Sequence, residues 1–325
     1  MGASNYVGRF APSPTGPLHF GSLVAALGSC LDARSHGGRW LLRVEDVDEP
    51  RCSQAAADDI LRTLEACGFE WDGDVLVQSA RKERYREVLE RLTRDGRLYP
   101  CACTRRELAD SALAPDGAAS YPGTCRDGLP PGKLPRAWRL HVDDVPVCFD
   151  DALQGRNCQN LAREVGDFVL LRADGYFAYQ LAVVVDDADQ GISHVVRGAD
   201  LLDSTPRQIF LQRCLGTATP AYVHLPVAVN AAGEKLAKQT LAPAIDARDP
   251  VPALVEAMRF LGQDVPRDMW RVATADFWAW ARSAWRLERV PRCRSLAAVL
   301  LAAEAGNADG DPDQRIGQPA GGTRQ

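Results

Sequence analysis

A stiff junction near the start of the sequence is the first place where chemistry could be done. Residues 9–22 read RFAPSPTGPLHFGS and join an apolar run that predicts a strand to a stretch that predicts a helix. Backbone N–H groups and the positive end of the helix dipole bind anions at a helix start. His19 would add a directed donor, and Gly21 would allow close approach. The junction predicts a phosphate site, although His-x-Gly alone is more often a structural turn.

A second candidate lies far along the chain, on a polar loop. Residues 233–239 read GEKLAKQ, which places Lys235 and Lys238 three residues apart. Two ammonium groups on a loop can neutralise a polyphosphate and stabilise departing pyrophosphate, since nucleotidyl chemistry depends mainly on positioning and charge neutralisation. A solvated surface loop is the alternative. With the junction, the loop indicates that His19 and Lys238 face one triphosphate.

Three cysteines on a loop-rich stretch form the third candidate site. Cys101 and Cys103 are one residue apart, and Cys125 follows after a loop that contains Tyr121. Three thiolates there suit one structural zinc ion, with three free thiols as the alternative. On chemistry alone the fourth ligand could be His141 or Cys148. The remaining cysteines are expected to be reduced and to serve packing: Cys30, Cys52, Cys67, Cys158, Cys214 and Cys293.

The elements that must position these groups follow a β-α-β-α order. Strands are predicted at 6–10 and 40–45, and helices at 18–35, 54–67 and 81–95. Parallel strands need crossover helices, so this order favours a doubly wound, Rossmann-like α/β sheet with ligands at the carboxyl ends of its strands.

Changes in composition and in the pattern of predicted elements divide the chain into five predicted segments. Strands are expected at 168–171, 177–185, 194–196 and near 223–229, and a helix at 206–214. The segments are the first half of the catalytic domain at 1–100, an inserted zinc-binding subdomain at 101–151, the second half with the lysine loop at 152–241, a short helical C-terminal region at 242–305 and a disordered tail at 306–325.

Composition restricts the class of protein. The 325 residues are 46% apolar and 25% charged, which excludes a fibrous or wholly disordered chain. The formal charge of −5 means that a nucleic-acid partner must be held by a local basic face. Because no apolar run approaches the roughly 20 residues of a membrane span and no secretory segment begins the chain, we expect a cytoplasmic protein without a membrane partner.

Several stretches of the sequence, some of them long, resemble a known protein family and narrow the choice of function. The junction and the lysine loop resemble the HIGH and KMSKS signatures of class I aminoacyl-tRNA synthetases, with Ser22 and Ala237 as departures from them. LLRVEDVD at 41–48, VVDDADQGISHVVRG at 184–198 and STPRQ at 204–208 are similar to the glutamyl branch of that class. The resemblance covers roughly the first 240 residues.

The resemblance implies a set of site residues. Arg9 and Arg197 would hold the side-chain carboxylate of glutamate and Glu45 its ammonium group. The alternatives are a surface pair of Arg197 with Asp200 and, for Glu45, a pair with Arg43 or a helix cap. The residues that the resemblance implies for L-glutamate are Arg9, Phe10, Ala11, Pro12, Ser13, Glu45, Tyr179 and Arg197. Those implied for ATP are His19, Gly21, Ser22, Lys235 and Lys238, of which His19 and Lys238 would be catalytic. Those implied for zinc are Cys101, Cys103, Tyr121 and Cys125.

Only about sixty residues of helical sequence follow the lysine loop before the tail, so we expect no anticodon-binding domain. A short glutamyl-synthetase-like chain with Cys-x-Cys resembles the glutamyl-queuosine tRNA(Asp) synthetases. That resemblance implies activation of L-glutamate with ATP and Mg²⁺, transfer to the queuosine base in the anticodon of tRNA(Asp), and a monomer. The alternatives are a minimal glutamyl-tRNA synthetase that acylates a 3′ end, and a non-catalytic glutamate or nucleotide sensor.

The stretch from Trp270 to Arg294 interleaves tryptophans with arginines. Arginines can track phosphates and tryptophans can stack on bases, which would make an RNA-binding face. Amphipathic helices with buried tryptophans and solvated arginines are the commoner cause of such a pattern, and both interpretations stay open.

Overall fold

The computed structural model describes residues 5–109, 111–230, 232–236 and 244–298. Strands and helices alternate through most of this range. The strands are β1 Val7–Phe10, β2 Arg39–Val44, β3 Leu76–Val77, β4 Leu98–Cys101, β5 Ala137–Leu140, β6 Pro146–Asp151, β7 Gly155–Asn160, β8 Phe168–Leu171, β9 His194–Gly198, β10 Ala221–Leu225, β11 Val227–Val229 and β12 Ser295–Ala297. The helices are α1 Phe20–Ser35, α2 Gln54–Ala66, α3 Lys82–Arg94, α4 Leu161–Glu164, α5 Tyr179–Asp189, α6 Thr205–Leu215, α7 Val251–Phe260 and α8 Thr274–Ala284.

Parallel strands form the centre of the molecule. β1, β2 and β3 pair in parallel, and β10 pairs in parallel with both β9 and β6, while β7 runs antiparallel along β6. β1 lies beside β9, where the Ser193 backbone N–H donates to the Val7 carbonyl at 3.0 Å. The α/β fold class is therefore confirmed, and the carboxyl ends of β1, β2, β9 and β10 lie along one edge.

Helix α1 connects β1 to β2 and packs unusually close to the sheet. His19 caps its start, because the imidazole Nδ1 accepts from the Ser22 backbone N–H at 3.3 Å. Farther along, a Cβ built on Gly28 would lie 2.7 Å from Leu225 Cδ1 on β10. Glycine lets the helix backbone approach the strand there, so the middle of α1 packs directly against β10.

The prediction of a strand at 177–185 was wrong. Residues Tyr179–Asp189 form α5, and the consecutive valines Val183, Val184 and Val185 are all buried within it. β-branched residues favour strands, but a short apolar run cannot distinguish a buried strand from a buried helix. Burial of α5 against β8 and its neighbours α3 and α6 overrides the local preference.

The segment after β4 differs from the parallel sheet in its strand arrangement. β4, β5 and β8 form a small antiparallel sheet, and the three cysteines of the third candidate site lie beside it. β6, which ends at Asp151, pairs instead with β10 of the main sheet. The predicted domain boundaries stay predictions, and the tail at 306–325 lies outside the described residues.

The C-terminal helices pack against α1 and the end of α2, and two tryptophans make hydrogen bonds there. Trp278 on α8 is buried and donates from Nε1 to the Cys67 carbonyl at 2.8 Å. Trp285 is also buried, and its Nε1 donates to Asp32 at 3.3 Å. These two rings are enclosed by protein and cannot stack on bases, so the packing interpretation holds for them.

Two further findings concern the redox state of the cysteines and the search for membrane-spanning helices. Cys148 and Cys158, which face each other across β6 and β7, are joined as a disulfide, which corrects the expectation that every cysteine is reduced. Spacing alone could not show this, because the pair depends on the register of the two strands. Among the residues that the structure describes, no helix is both long and apolar enough to cross a bilayer.

Candidate active site

A cleft of about 1050 Å³ opens at the carboxyl ends of the parallel strands. It is lined by every residue predicted to bind glutamate or ATP that the structure describes: Arg9, Phe10, Ala11, Pro12, Ser13, His19, Gly21, Ser22, Glu45, Tyr179, Arg197 and Lys235. Lys238 lies outside the described residues. Since loops and strand ends from both halves of the sheet contribute to it, the cleft occupies the position where doubly wound folds bind ligands.

The two phosphate-binding candidates adjoin at one end of the cleft. A Cβ built on Gly21 would lie 3.3 Å from the carbonyl oxygen of Leu236, the residue after Lys235. Beyond the gap in the described loop, the Ile245 backbone N–H donates to the Leu18 carbonyl at 3.3 Å. Segments distant in sequence therefore form a single wall beside the start of α1, and Gly21 leaves space between that helix and the loop.

His19 and Lys235 are both engaged at this end of the cleft. His19 Nε2 lies 3.0 Å from Ser22 Oγ, the hydroxyl at the position where the HIGH pattern has a second histidine. The Lys235 ammonium lies 2.5 Å from Asp200. These contacts hold a hydroxyl, an imidazole and an ammonium group around the helix start, where each can meet an anionic ligand.

A compact network of buried charges contacts Arg9 and Glu45, two residues that line the cleft. Asp187 on α5 accepts from Arg9 Nε at 3.1 Å and from Arg43 Nη2 at 2.8 Å. Arg43 Nη2 also donates to Glu45 Oε1 at 3.2 Å. Although burial alone would raise it, the two guanidinium groups hold the pKa of Asp187 below its ordinary value. The Glu45–Arg43 pair named as an alternative is present, while Glu45 also lines the cleft.

Arg197 differs from Arg9 and Arg43 in the same cleft region because its partners are neutral. It is 5% exposed, and its guanidinium contacts His224, Thr205, Tyr179 and the Leu201 carbonyl. Among the described residues no carboxylate pairs with it, and Asp200 pairs with Lys235 instead, so the alternative of an Arg197–Asp200 surface pair was wrong. A buried cation without a counter-charge is costly unless a ligand supplies the anion.

Sequence reasoning missed several residues that support this site. Arg43 and Asp187 lie inside the quoted matches at 41–48 and 184–198, and Thr205 lies inside the match at 204–208, so a signal for them existed. His224 on β10 carried no motif. All four are buried, and they act on the cleft through Arg9, Glu45 and Arg197.

The three cysteines of the loop-rich segment lie together. The Sγ atoms of Cys101, Cys103 and Cys125 are all within 4.8 Å of one another, and Cys103 and Cys125 are 3.7 Å apart. Tetrahedral ligands about 2.3 Å from a zinc ion are separated by about 3.8 Å, which agrees with this spacing. Despite burial, hydrogen bonds from Tyr121 and Arg139 lower the pKa of Cys101. The cluster could hold a metal ion.

The surroundings of the cluster bear on the fourth ligand. Tyr121 places its hydroxyl 3.5 Å from Cys101 Sγ, and the same oxygen accepts from the Cys125 backbone N–H at 2.8 Å. Cys148 is bonded to Cys158 and so is not free to bind a metal ion. Within the described residues, neither a histidine nor a carboxylate joins the three thiols. Tyr121 is thus the nearest of the three candidates considered.

Comparison with known proteins agrees with this geometry. Residues 6–267 match the family model described as "tRNA synthetases class I (E and Q), catalytic domain". A protein of Dechloromonas aromatica named glutamyl-Q tRNA(Asp) synthetase is 65% identical over 291 residues, 89% of this chain and 97% of its own. A protein of the same name from Aromatoleum aromaticum is 60% identical over 290 residues, 89% of this chain and 92% of its own.

A solved structure supports the fold. The crystal structure of a glutamate tRNA ligase from Elizabethkingia meningosepticum, in complex with its amino acid, superposes with a TM-score of 0.74 at 23% sequence identity. The alignment covers 90% of this chain and 67% of that chain. With the family match and the two relatives, the predicted resemblance is confirmed: the chain belongs to the class I tRNA synthetase family of the E and Q type, together with its glutamyl-Q tRNA(Asp) synthetase relatives.

Proposed function

We propose that this protein activates L-glutamate with ATP and transfers it to the queuosine base in the anticodon of tRNA(Asp). The observation that carries the proposal is Arg197, a buried guanidinium with neutral partners, in the same cleft as the start of α1 and the lysine loop. An acidic amino acid would supply the missing counter-charge. The names of the relatives support the choice of tRNA and of the acceptor base.

Adenylate formation would use groups from two parts of the cleft, those that hold glutamate and those that hold ATP. An oxygen of the glutamate α-carboxylate attacks the α-phosphorus of ATP, and the bond to the β-phosphate oxygen breaks to release pyrophosphate. His19 and the start of α1 stabilise the α-phosphate, while Lys235 and Lys238 stabilise the departing phosphates. Lys238 is assigned from the sequence match alone.

The amino acid is held by the buried charges. Arg197, with Tyr179 beside it and Arg9 nearby, binds the side-chain carboxylate, which leaves the α-carboxylate free to react. Glu45 accepts from the substrate ammonium group. In the second step a hydroxyl of the queuosine base attacks the activated carbonyl and gives up its proton to solvent, the bond from the carbonyl carbon to the phosphate oxygen breaks, and AMP leaves.

Metal ions complete the proposal. Mg²⁺ enters with ATP and neutralises part of the triphosphate charge. The thiolates of Cys101, Cys103 and Cys125, with Tyr121 beside them, would hold one structural zinc ion, which would stabilise a small loop-rich segment. We further propose that the enzyme acts as a cytoplasmic monomer.

Charging assays test the proposal and separate it from its alternatives. Purified protein, ATP and glutamate should give glutamate-dependent pyrophosphate exchange without tRNA. Labelled glutamate should then be incorporated into tRNA(Asp) that carries queuosine and not into tRNA(Asp) that lacks it. Acylation of tRNA(Glu) alone would favour a minimal glutamyl-tRNA synthetase, and ligand binding without exchange would favour a sensor.

A further inference from the structure

His224 and Asp151 form a buried pair directly behind Arg197. His224 lies on β10 and is fully buried, and its Nδ1 is 2.6 Å from Asp151 Oδ2 at the end of β6. On the other side of the ring, Nε2 lies 3.1 Å from Arg197 Nε. The imidazole therefore bridges a carboxylate and the guanidinium that we assign to the substrate carboxylate.

The hydrogen-bonding pattern determines which nitrogen of His224 carries its proton. Arg197 Nε can only donate, so His224 Nε2 must be an acceptor and Nδ1 must carry the hydrogen. Asp151 receives that hydrogen, and its other oxygen accepts from the Leu153 and Gln154 backbone N–H groups at 3.0 and 2.9 Å. Burial lowers the pKa of His224 to about 4, so the ring is neutral at physiological pH.

The same contacts orient Arg197 toward the cleft. Nε faces His224, and Nη2 donates to Thr205 Oγ1 at 2.8 Å. Nη1 makes a longer contact of 3.5 Å with Tyr179, a residue that lines the cleft. One edge of the guanidinium is therefore fixed by neutral acceptors, while Nη1 is presented to the ligand, and none of the described carboxylates pairs with its positive charge.

We infer that His224, held by Asp151, is a positioning residue that sets the orientation of Arg197 for the side-chain carboxylate of the amino-acid substrate. It matters for the charge of Arg197 that its Nε donates to a neutral acceptor. A carboxylate in direct contact with Nε would position the guanidinium equally well but would neutralise the charge that the substrate needs. The imidazole keeps the Asp151 carboxylate one ring away from the guanidinium.

Two substitutions at His224 test its hydrogen bonds to Arg197 and to Asp151 independently. A glutamine amide reaches the position of Nε2 and can accept from Arg197, whereas an asparagine amide reaches the position of Nδ1 and can donate only to Asp151. The inference rests on the proposed function, so pyrophosphate exchange is the assay. We expect His224→Asn to raise the KM for glutamate at least tenfold and His224→Gln to raise it less than threefold. The KM for ATP should change less than threefold in both.

Controls distinguish positioning from folding. Tyr85→Phe removes another buried hydrogen bond to a carboxylate, that of Asp186, away from the cleft. It should lower the Tm and leave both KM values unchanged. If His224→Asn does not fold, Thr205→Val tests the same edge of Arg197 and should raise the KM for glutamate alone.

The outcomes that overturn the inference are specific. A folded His224→Asn variant with an unchanged glutamate KM would refute it, as would equal increases for glutamate and ATP. If His224→Asn does not fold, an unchanged glutamate KM in Thr205→Val would refute it too. Absence of exchange in the wild-type protein would instead refute the proposed function.

Discussion

Replacing Arg197 with alanine removes the unpaired charge on which the assignment of an acidic substrate rests. In the structure Nη1 carries two hydrogens and makes one long contact, so a substrate carboxylate could accept one or two charge-assisted hydrogen bonds from it. Each is worth about 1.5–3 kcal/mol. A net loss of about 3 kcal/mol corresponds to a decrease of about 150-fold in kcat/KM for glutamate.

Pyrophosphate exchange at varied glutamate and ATP concentrations measures this effect. The loss should fall on the glutamate KM, with the ATP KM changed less than threefold, because the phosphate end of the cleft is left intact. Arg81→Ala is a matched control, since Arg81 pairs with buried Asp186 and does not line the cleft. Equal effects on both substrates, or a decrease in kcat/KM for glutamate below fivefold, would refute the assignment of Arg197.

Three other perturbations have definite expected outcomes. Gly28→Ala should lower the free energy of unfolding by about 1 kcal/mol, as measured by urea titration. The clash of the new methyl group with Leu225 should outweigh the gain in helix propensity, and an increased stability would contradict that packing. Cys101→Ser should release bound zinc, measured by metal analysis, whereas Cys67→Ser should keep it; unaltered zinc in the first variant would exclude Cys101 as a ligand. The folded-state pKa of His224 lies below its unfolded value of 6.5, so the stability that it contributes is present above pH 6.5 and lost as the pH falls toward 4. Between pH 7 and 5 the wild type should lose about 2 kcal/mol more than the His224→Asn variant in chemical denaturation, and equal losses would contradict a neutral buried imidazole.

Much of the cleft could be predicted because its residues lie in continuous motifs at strand ends. His19 caps the start of α1, the next element after β1, and Arg197 lies near the end of β9, so a correct strand order was enough to bring them to one edge. The β-α-β-α pattern supplied that order. Lys235 followed from its polar loop and its spacing of three residues from Lys238.

The remaining features depend on tertiary contacts that leave no local pattern. The run of valines in α5 looks like a strand until its burial on all sides is known. The Cys148–Cys158 pair depends on strand register. The role of His224 depends on Asp151 and Arg197, which are distant in sequence and meet it only in the folded chain.

The most direct test of the account is the position at which labelled glutamate is attached to tRNA. Purified protein is incubated with ATP, labelled glutamate and tRNA(Asp) that carries queuosine, and nuclease digestion then locates the label. We predict that the label lies in the fragment that contains the anticodon, and that it is absent when the tRNA lacks queuosine. Label on the 3′ terminal adenosine would contradict the account.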